Sequence, residues 1–521
     1  MKKSKFGVVA LATLLLASCG GTSSVTSVEG DGKLAAASIT WWNNYKTPTA
    51  DEKSTLDDAA LRKKYAEYYY AEDAIAAFEA AQPNVTVEQV YKGSYSDIAK
   101  AVNAGLATGD TPNMVSTYQD YVYAYNSTEG AVLDMTEYAT ELEQDSDFNQ
   151  NYLSIEKGIY GGKYLSLPYS KSGEMLVVNK SAFDLVGAGN AGVSVGNYVA
   201  PVAAESKTAY TVPTSWDEMI TTARKIKTDF PTLFASGVNG TQKDADGYFV
   251  ALPICWDSNE NMAITFLQNA GIEYTVGTAS TPAAQVPVFD NADAKALFVQ
   301  LKKWNMEGLL GTQQQLPMSG KYHIYGSEMF YTGKSFMNIS STAGASYFAA
   351  DGFTASVNRT PTYNGHSKVI SQGPSLAFFD KDLSSNTAAY EFYKFLTQPA
   401  QAATLTSIDS YFPLRTTTYN EAAVKTLTDA ATATVAADTE TGTYASKRNT
   451  YVGQAINLNK TYTNNSDFYI SDVFAYSAKA RTAIGNLITS LFNDTDASTD
   501  AEIVTLVDTL CTQAKSEVFT A

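Results

Sequence analysis

Residues 85–118 show a regular alternation of apolar and polar positions, which predicts a strand, a helix and a second strand. The valines within 85–90 are spaced for a short strand. Ser96 is placed to cap the helix that follows, whose apolar residues recur on one face. Gly109 suits the left-handed position after a helix, and a new strand then begins at Met114.

Three residues stand where these elements join or end. Tyr95 follows the first strand of the run, and Tyr118 and Gln119 follow the second. In an open α/β sheet, ligands bind beyond the carboxyl ends of the strands. The pattern therefore predicts that these three side chains line a binding cleft.

A preceding strand and helix extend the α/β pattern towards the amino terminus. Residues 38–44 predict the first strand of the folded part, with Trp41 and Asn43 near its carboxyl end. Residues 71–81 place apolar side chains on one helical stripe. Residues 45–70 are charged and rich in tyrosine, which predicts a surface insertion.

The first 37 residues have the pattern of an export leader and a tether. Lysines precede an apolar run, 6–16, that is too short to span a membrane. Leu-Ala-Ser-Cys at 16–19 resembles a bacterial lipobox, which implies removal of residues 1–18 and a lipid on Cys19. An ordinary signal peptide with an incidental cysteine is the alternative. The Gly/Ser/Thr-rich composition predicts that 19–37 form a flexible tether.

Composition restricts the classes of partner. The chain has 521 residues, enough for two or more domains. Its 54 acidic side chains exceed the 37 basic ones, which disfavours nucleic acid and anionic lipid as ligands. Cys255 and Cys511 could pair or remain thiols. The 34 tyrosines are an unusual number, and exposed aromatic rings can pack against the apolar faces of sugars.

Catalytic and metal chemistry has little support in the sequence. His323 and His366 are the only histidines, so neither a histidine-based triad nor a histidine-rich metal site is predicted. The acidic stretches 380–384 and 494–500 do not fit the EF-hand pattern of a glycine and a later glutamate, and they predict turns. We therefore predict no catalytic residue, no metal and no cofactor.

Four short motifs occur in a characteristic order. They are Trp-Trp-Asn-Asn at 41–44, Phe-Glu-Ala-Ala-Gln-Pro at 78–83, Tyr-Lys-Gly-Ser-Tyr at 91–95 and Ala-Thr-Gly-Asp-Thr-Pro at 107–112. Together they resemble the extracellular solute-binding proteins, family 1, of bacterial carbohydrate ABC importers. The motif at 91–95 is most similar to the glycerol-3-phosphate-binding branch.

The resemblance implies an α/β fold of type II, in which two hinge-linked lobes enclose a cleft. Lobe 1 would comprise residues 38–168 and 373–418. Lobe 2 would comprise residues 169–372 and 419–521.

Later matches to the family imply further ligand-facing residues. They fall on its crossing strands and strand ends, at Ser170, Ser172, Ser341, Gly373 and Tyr411. Trp256 is added because of its position before an apolar helix, whereas Trp216 is predicted to pack. The complete predicted ligand set is Trp41, Asn43, Tyr95, Tyr118, Gln119, Ser170, Ser172, Trp256, Ser341, Gly373 and Tyr411.

Two departures from the glycerol-phosphate branch favour a neutral saccharide. That branch has an acidic residue where this chain has Gln119. It also holds phosphate with an arginine in a stretch that corresponds to 467–474, which contains none. Arg481 follows, but it aligns with a different arginine on a helix. Arginine is the preferred side chain for bidentate phosphate recognition.

The predicted function is that of a lipid-anchored, monomeric, non-enzymatic protein on the outer face of the cell membrane. It would capture a sugar or oligosaccharide by lobe closure and deliver it to an ABC permease. Hinges are expected near Leu167–Ser172, Gln372–Ser375 and Phe412–Thr416. Two alternatives stay open: a binder of glycerol 3-phosphate or glycerophosphodiesters on the same fold, and a surface glycosidase or adhesin.

Overall fold

Two five-stranded sheets form the centres of two lobes, and the chain passes between the lobes three times. The computed structural model describes residues 32–126, 130–187, 194–195, 198–199, 210–276, 286–349, 353–432, 444–462 and 467–519. The predicted leader, the lipidation site Cys19 and residues 19–31 of the tether lie outside the described residues.

Lobe 1 is built around sheet 1. Its strands are β1 (Ala37–Asn43), β2 (Val85–Tyr91), β3 (Met114–Thr117), β4 (Ser166–Pro168) and β17 (Ser375–Phe378). Their order is β2-β1-β3-β17-β4. β1, β2 and β3 are parallel, so their carboxyl ends lie on one edge of the sheet.

Lobe 2 is built around sheet 2. Its strands are β5 (Glu174–Asn179), β8 (Leu252–Trp256), β11 (Leu310–Thr312), β14 (Ser335–Ser341) and β15 (Ala355–Asn358). Their order is β11-β8-β14-β5-β15. β8, β11 and β14 are parallel, whereas β5 runs antiparallel to both of its neighbours.

Helices cover both sheets, and short strands form two-residue pairs. Lobe 1 carries α1 (Ala50–Thr55), α2 (Asp58–Lys64), α3 (Ala66–Ala81), α4 (Tyr95–Thr108), α5 (Gln119–Tyr125), α6 (Thr140–Gln144), α7 (Gln150–Ile159), α14 (Leu383–Leu396) and α15 (Pro399–Asp409). Lobe 2 carries α8 (Lys180–Gly187), α9 (Trp216–Asp229), α10 (Pro231–Phe234), α11 (Asn259–Ala270), α12 (Ala292–Met306), α13 (Gly326–Tyr331), α16 (Ala422–Ala430), α17 (Tyr444–Thr461), α18 (Ser477–Asn493) and α19 (Asp500–Phe519). The short strands are β6 (Ser194–Val195), β7 (Tyr198–Val199), β9 (Thr275–Val276), β10 (Val286–Pro287), β12 (Met318–Ser319), β13 (Tyr322–His323), β16 (Val369–Ile370) and β18 (Phe468–Tyr469).

In the described part of the chain, no helix has both the length and the apolar character needed to cross a membrane.

The start of α4 differs from the prediction in a way that matters for the cleft. Its cap is Ser94, whose hydroxyl accepts a hydrogen bond from the Asp97 amide, while the Asp97 carboxylate accepts one from the Ser94 amide. The prediction that Ser96 is the cap was wrong, because Ser96 lies inside the first turn. The reciprocal pair makes Tyr95 the first helical residue. Gly109 ends the helix in the left-handed conformation, with φ +79°, as predicted.

Both lobes have aromatic cores. In lobe 2, Trp216 is stacked between Trp256 and Trp304, with ring centroids 5.9 and 5.8 Å away, which confirms the predicted packing role of Trp216. Cys255 and Cys511 are buried free thiols and do not pair.

The amino-terminal segment contacts lobe 1 earlier than predicted. The Lys33 ammonium donates to the carbonyl of Ala81 at 2.9 Å, and the Leu34 amide donates to the side-chain oxygen of Gln82 at 3.1 Å. Residues 33–37 therefore lie against lobe 1 instead of belonging to the flexible tether, which was predicted to reach residue 37.

Candidate functional site

Two segments that connect the lobes lie side by side, and residues 411–413, which lead into the third, lie against them. Ser172 and Gln372 exchange two backbone hydrogen bonds with N···O distances of 2.8 and 2.9 Å. The amide of Phe412 donates to the carbonyl of Lys171 at 2.7 Å. We call residues 169–173, 371–375 and 411–413 the joint; they bring together parts of all three predicted hinges.

A cavity of about 770 Å³ lies between the lobes beside the joint. Residues 118–121 at the start of α5 form its lobe 1 wall, and the joint contributes Ser371 and Gln372. Its lobe 2 wall includes the segment 470–473 and Arg481 of α18. Because each lobe supplies only part of the lining, movement of one lobe against the other changes the shape of the cavity.

Tyrosine rings stand at the strand ends of sheet 1. The partly exposed rings of Tyr95 and Tyr118 have centroids 4.6 Å apart, and Tyr411 lies within electrostatic range of both. Burial raises the pKa of Tyr118 to about 12, although the nearby Arg481 opposes the shift. These tyrosines are therefore neutral at physiological pH, and each offers both an apolar ring face and a hydroxyl group.

Two carboxyl groups lie next to these rings. Glu67 of α3 and Asp409 of α15 interact electrostatically with Tyr95 and Tyr411. Burial raises the pKa of both acids, and their proximity raises that of Asp409 further. Among the described residues, no lysine or arginine nitrogen lies within 4 Å of either carboxylate. Asp409 accepts a hydrogen bond from the Tyr411 amide at 3.0 Å, and neither acid lines the cavity itself.

Arg481 contributes a guanidinium group to the lobe 2 wall of the cavity. It donates to the side-chain oxygen of Asn261 and to the hydroxyl of Ser471, the latter at 3.3 Å. The Asn261 amide in turn donates to the side-chain oxygen of Gln372 at 3.2 Å. Burial raises the pKa of Asp120 on the facing wall, and Arg481 opposes that shift. The guanidinium group of Arg481 is thus connected through Asn261 to Gln372 of the joint.

Ser170, Ser172 and Gly373 of the predicted set lie at the joint. Ser341 ends β14 beside it, and its hydroxyl oxygen is 3.4 Å from that of Ser172. Ser170 and Ser172 are buried, and the structure brings none of these four residues into the lining of the cavity. Gly373 has φ +102°, and a Cβ there would collide with the carbonyl of Ser170. The close approach of these two backbones requires glycine at position 373.

Three further predicted ligand residues lie in the protein interior. Trp41 is 0% exposed, and its indole donates to the hydroxyl of Ser116 at 3.1 Å. Trp256 is 1% exposed, and its indole donates to the Glu174 carboxylate at 2.9 Å. Asn43 is fully buried, and its side-chain oxygen accepts from the amide of Tyr45. Their side chains point into the layers between sheet and helices, which corrects the expectation that they face a ligand.

Gln119 lines the cavity, but its carboxamide is engaged elsewhere. It donates to the Glu156 carboxylate at 2.8 Å and to the hydroxyl of Ser375 at 3.3 Å. Sequence reasoning missed several side chains that line the cavity, among them Asp120, Tyr274, Gln372 and Arg481. Two of them carried a signal, since Asp120 follows Gln119 directly and Arg481 had been aligned with a helix-borne arginine of the family.

Comparison with known proteins gives one family. The family model described as bacterial extracellular solute-binding protein matches residues 73–482. The sn-glycerol-3-phosphate-binding periplasmic protein of Rhizobium meliloti is 23% identical over 364 residues, which cover 67% of this chain and 73% of the relative. The protein of the same name from Agrobacterium fabrum is 23% identical over 397 residues, covering 74% and 76%.

Solved structures share the fold at low sequence identity. The cyclic alpha-maltosyl-1,6-maltose binding protein from Arthrobacter globiformis superposes with a TM-score of 0.59 at 13% identity, covering 92% of this chain and 99% of that one. UgpB from Mycobacterium tuberculosis, in complex with glycerophosphocholine, gives a TM-score of 0.59 at 14% identity, covering 92% and 98%.

Proposed function

This chain belongs to the bacterial extracellular solute-binding proteins, and from that membership we propose that it captures a neutral saccharide between its lobes and delivers it to an ABC permease. The observation that carries the proposal is the interlobe cavity, which Tyr118, Tyr121 and Tyr274 line together with hydrogen-bonding groups of both lobes. The relatives are binding proteins and not enzymes, and we propose no chemical step on the ligand.

The charges around the cavity support a neutral ligand. Asp120, Glu260, Asp472 and Glu517 line it, against Lys479 and Arg481. An excess of carboxylates repels an anion, whereas carboxylate and amide oxygens accept hydrogen bonds from sugar hydroxyl groups. The tyrosine rings supply faces for the apolar side of a sugar ring. The related structure from Arthrobacter globiformis is that of a saccharide-binding protein.

A glycerol 3-phosphate or glycerophosphodiester ligand is the second candidate, and Arg481 is the observation that favours it. Its guanidinium lines the cavity, and among the described residues no carboxylate oxygen lies within 4 Å of it. Such a group can bind a phosphate in bidentate fashion. The curated relatives are named for glycerol 3-phosphate.

A ligand panel separates the two candidates. We expect maltose-type and cyclic oligosaccharides to raise the melting temperature, because a ligand at 100 times its Kd stabilises by about 2.7 kcal/mol. We expect no shift from glycerol 3-phosphate or glycerophosphocholine. A shift by these phosphates alone, abolished in Arg481→Met and retained in the surface control Arg224→Met, would replace the first candidate by the second. Turnover of the oligosaccharides would instead support the glycosidase alternative.

Anchoring and domain limits complete the proposal. We propose that Cys19 carries the lipid, that residues 20–32 form the tether, and that the protein acts as a monomer at the outer face of the membrane. We propose that lobe 1 comprises 33–168 with 373–418, extended from the predicted start at 38, and that lobe 2 comprises 169–372 with 419–521. The anchor predicts that Cys19→Ala moves the protein from the membrane fraction to the soluble extracytoplasmic fraction, whereas Cys511→Ala leaves it in the membrane fraction.

A further inference from the structure

We infer that Lys171 and Glu156 are positioning residues that fix the joint to lobe 1 and confine bending of the first two crossings to Ser172 and Gln372. The inference rests on the proposed capture by lobe closure, and it names the residues that set where closure occurs. Neither Lys171 nor Glu156 belongs to the predicted ligand set or to the lining of the cavity.

A buried ion pair ties the first two crossings together. The Lys171 ammonium lies 3.1 Å from the Glu156 carboxylate, and the two side chains are 1% and 0% exposed. The same ammonium donates to the hydroxyl of Ser375 at 2.8 Å and to the carbonyl of Gly373 at 3.4 Å. One side chain of the first crossing thus holds two residues of the second.

Glu156 completes this arrangement from α7. Besides Lys171, its carboxylate accepts hydrogen bonds from the Gln119 amide at 2.8 Å, the Ser166 hydroxyl at 2.7 Å and the Ser375 hydroxyl. A buried charge pair is tolerated only when further hydrogen bonds satisfy its polar atoms. All of these partners belong to lobe 1 or to the joint, so the pair is anchored on the lobe 1 side.

The first and second crossings change their hydrogen-bond partners, from the joint to lobe 2, at the same level. Before the change, the Tyr169 amide donates to the carbonyl of Pro374 at 3.2 Å within the joint. After it, Gly173 exchanges hydrogen bonds with Thr342 of lobe 2 at 2.9 and 3.1 Å. In the second crossing, the amide of Ser371 donates to the carbonyl of Tyr469 at 2.7 Å, again in lobe 2. The backbones of Ser172 and Gln372, which pair with each other, lie between the two sets of contacts. Their side chains bond to Ser341 and Asn261 of lobe 2.

The third crossing changes partners later than predicted. The carbonyl of Leu414 accepts from the Asn149 amide at 2.8 Å, and the Thr417 amide donates to the Asp147 carboxylate at 2.7 Å, so this stretch stays on lobe 1. The hydroxyl of Tyr419 then accepts from the Asn459 amide of lobe 2 at 3.1 Å. Bending of this crossing belongs at 417–419 and not at Phe412–Thr416.

Gln119 connects the anchored joint to the ligand cavity. It lies between Tyr118 and Asp120 of the lobe 1 wall, and its carboxamide bonds to Glu156 and Ser375. A displacement of that wall by a ligand therefore changes the contacts that hold the joint. This placement distinguishes the pair from an ion pair that only stabilises lobe 1.

Hydrogen exchange of the ligand-free protein tests the inference. The double variant Glu156→Gln/Lys171→Met removes both charges, which is tolerated better than leaving one buried charge unpaired. We expect the amides of residues 169–171, Gly373 and Ser375 to exchange about tenfold faster, while β2 and β14 keep wild-type rates. The control is Glu143→Gln/Lys157→Met, an exposed pair 2.6 Å apart that also involves α7. It should leave the rates of residues 169–171, Gly373 and Ser375 unchanged, although Glu143 also accepts a hydrogen bond from the Tyr164 hydroxyl within lobe 1.

Two results would overturn the inference. One is wild-type exchange at the joint in the folded double variant. The other is an equal acceleration throughout lobe 1, which would mean that the pair only stabilises that lobe. No ligand is used, so failure to find a saccharide ligand would count against the proposed function and leave this result standing.

Discussion

Glu174 is a buried acid at the lobe 2 side of the joint, with neutral donors around it. Its carboxylate accepts from the Trp256 indole at 2.9 Å and from the Thr265 hydroxyl at 3.3 Å. Burial raises its pKa from 4.5 to about 7, although these bonds and Arg481 oppose the shift. Proton binding by this one side chain is therefore linked to the stability of the fold near the cavity.

The linkage gives a pH prediction. The folded protein holds the Glu174 proton at pH values where the unfolded chain has lost it, so stability falls as pH rises from about 4.5 to above 7. The loss amounts to at most about 3 kcal/mol. Glu174→Gln cannot ionise, so its melting temperature should fall less between pH 5 and pH 8 than that of the wild type. The exposed control Glu88→Gln should follow the wild type, and parallel losses in all three proteins would contradict the prediction.

The tyrosines give a prediction about ligand binding. Tyr95→Ala and Tyr411→Ala each remove a ring face at the cleft, and we expect saccharide affinity to fall by about five- to thirtyfold. Both positions are partly exposed, so the melting temperature should change little. Calorimetric titration measures the affinity. Tyr331→Ala, an exposed tyrosine at the far end of α13, is the control, and unchanged affinity in both cleft variants would refute the placement.

A general rule of α/β sheets predicted that Tyr95 and Tyr118 lie beyond strand ends of sheet 1, and the structure has them there. Of the two, Tyr118 lines the cavity, and the part that both play in ligand binding stays a prediction. Trp41 and Trp256 were placed wrongly, because a strand pattern does not tell whether a large side chain near the end reaches the edge or the buried layer. The pairing of Lys171 with Glu156 depends on tertiary packing, so no local pattern could reveal it.

The start of α4 gives a prediction at the scale of one element. Ser94→Ala removes the cap and should lower the free energy of unfolding by about 1 kcal/mol. Because Tyr95 is the first residue of this helix, fraying should also weaken ligand binding. Ser96→Ala is the matched control, two residues away and inside the first turn, and should have the smaller effect in urea unfolding. A larger loss of stability in Ser96→Ala than in Ser94→Ala would contradict the assignment of Ser94 as the cap.

The elements themselves were largely predictable, and their ends less so. The strand, helix and strand of 85–118 appear as β2, α4 and β3, because periodicity and the helix stop at Gly109 agree. The insertion at 45–70 forms α1, α2 and the start of α3. The sequence analysis did not identify Thr49 as the cap of α1 or Asp57 as the cap of α2. The hinge positions stay a prediction. Our inference narrows the first two to Ser172 and Gln372 and moves the third to 417–419, since sequence does not show which lobe each crossing residue bonds to.

At the scale of the whole molecule, the predicted two-lobe α/β fold is confirmed by its structural relatives. The cavity, the joint and the position of Arg481 agree with capture by closure. A closed form buries both faces of a ligand, and its polar groups must then find partners on both lobes. A permease that prefers the closed shape would then select loaded over empty protein.

Small-angle X-ray scattering of the ligand-free and saturated protein tests this central claim most directly. The ligand should be an oligosaccharide whose binding has first been established by calorimetry. We predict that the radius of gyration decreases on saturation, because the lobes rotate together about the joint. An unchanged radius of gyration, with binding verified in the same sample and an open ligand-free form, would contradict the account.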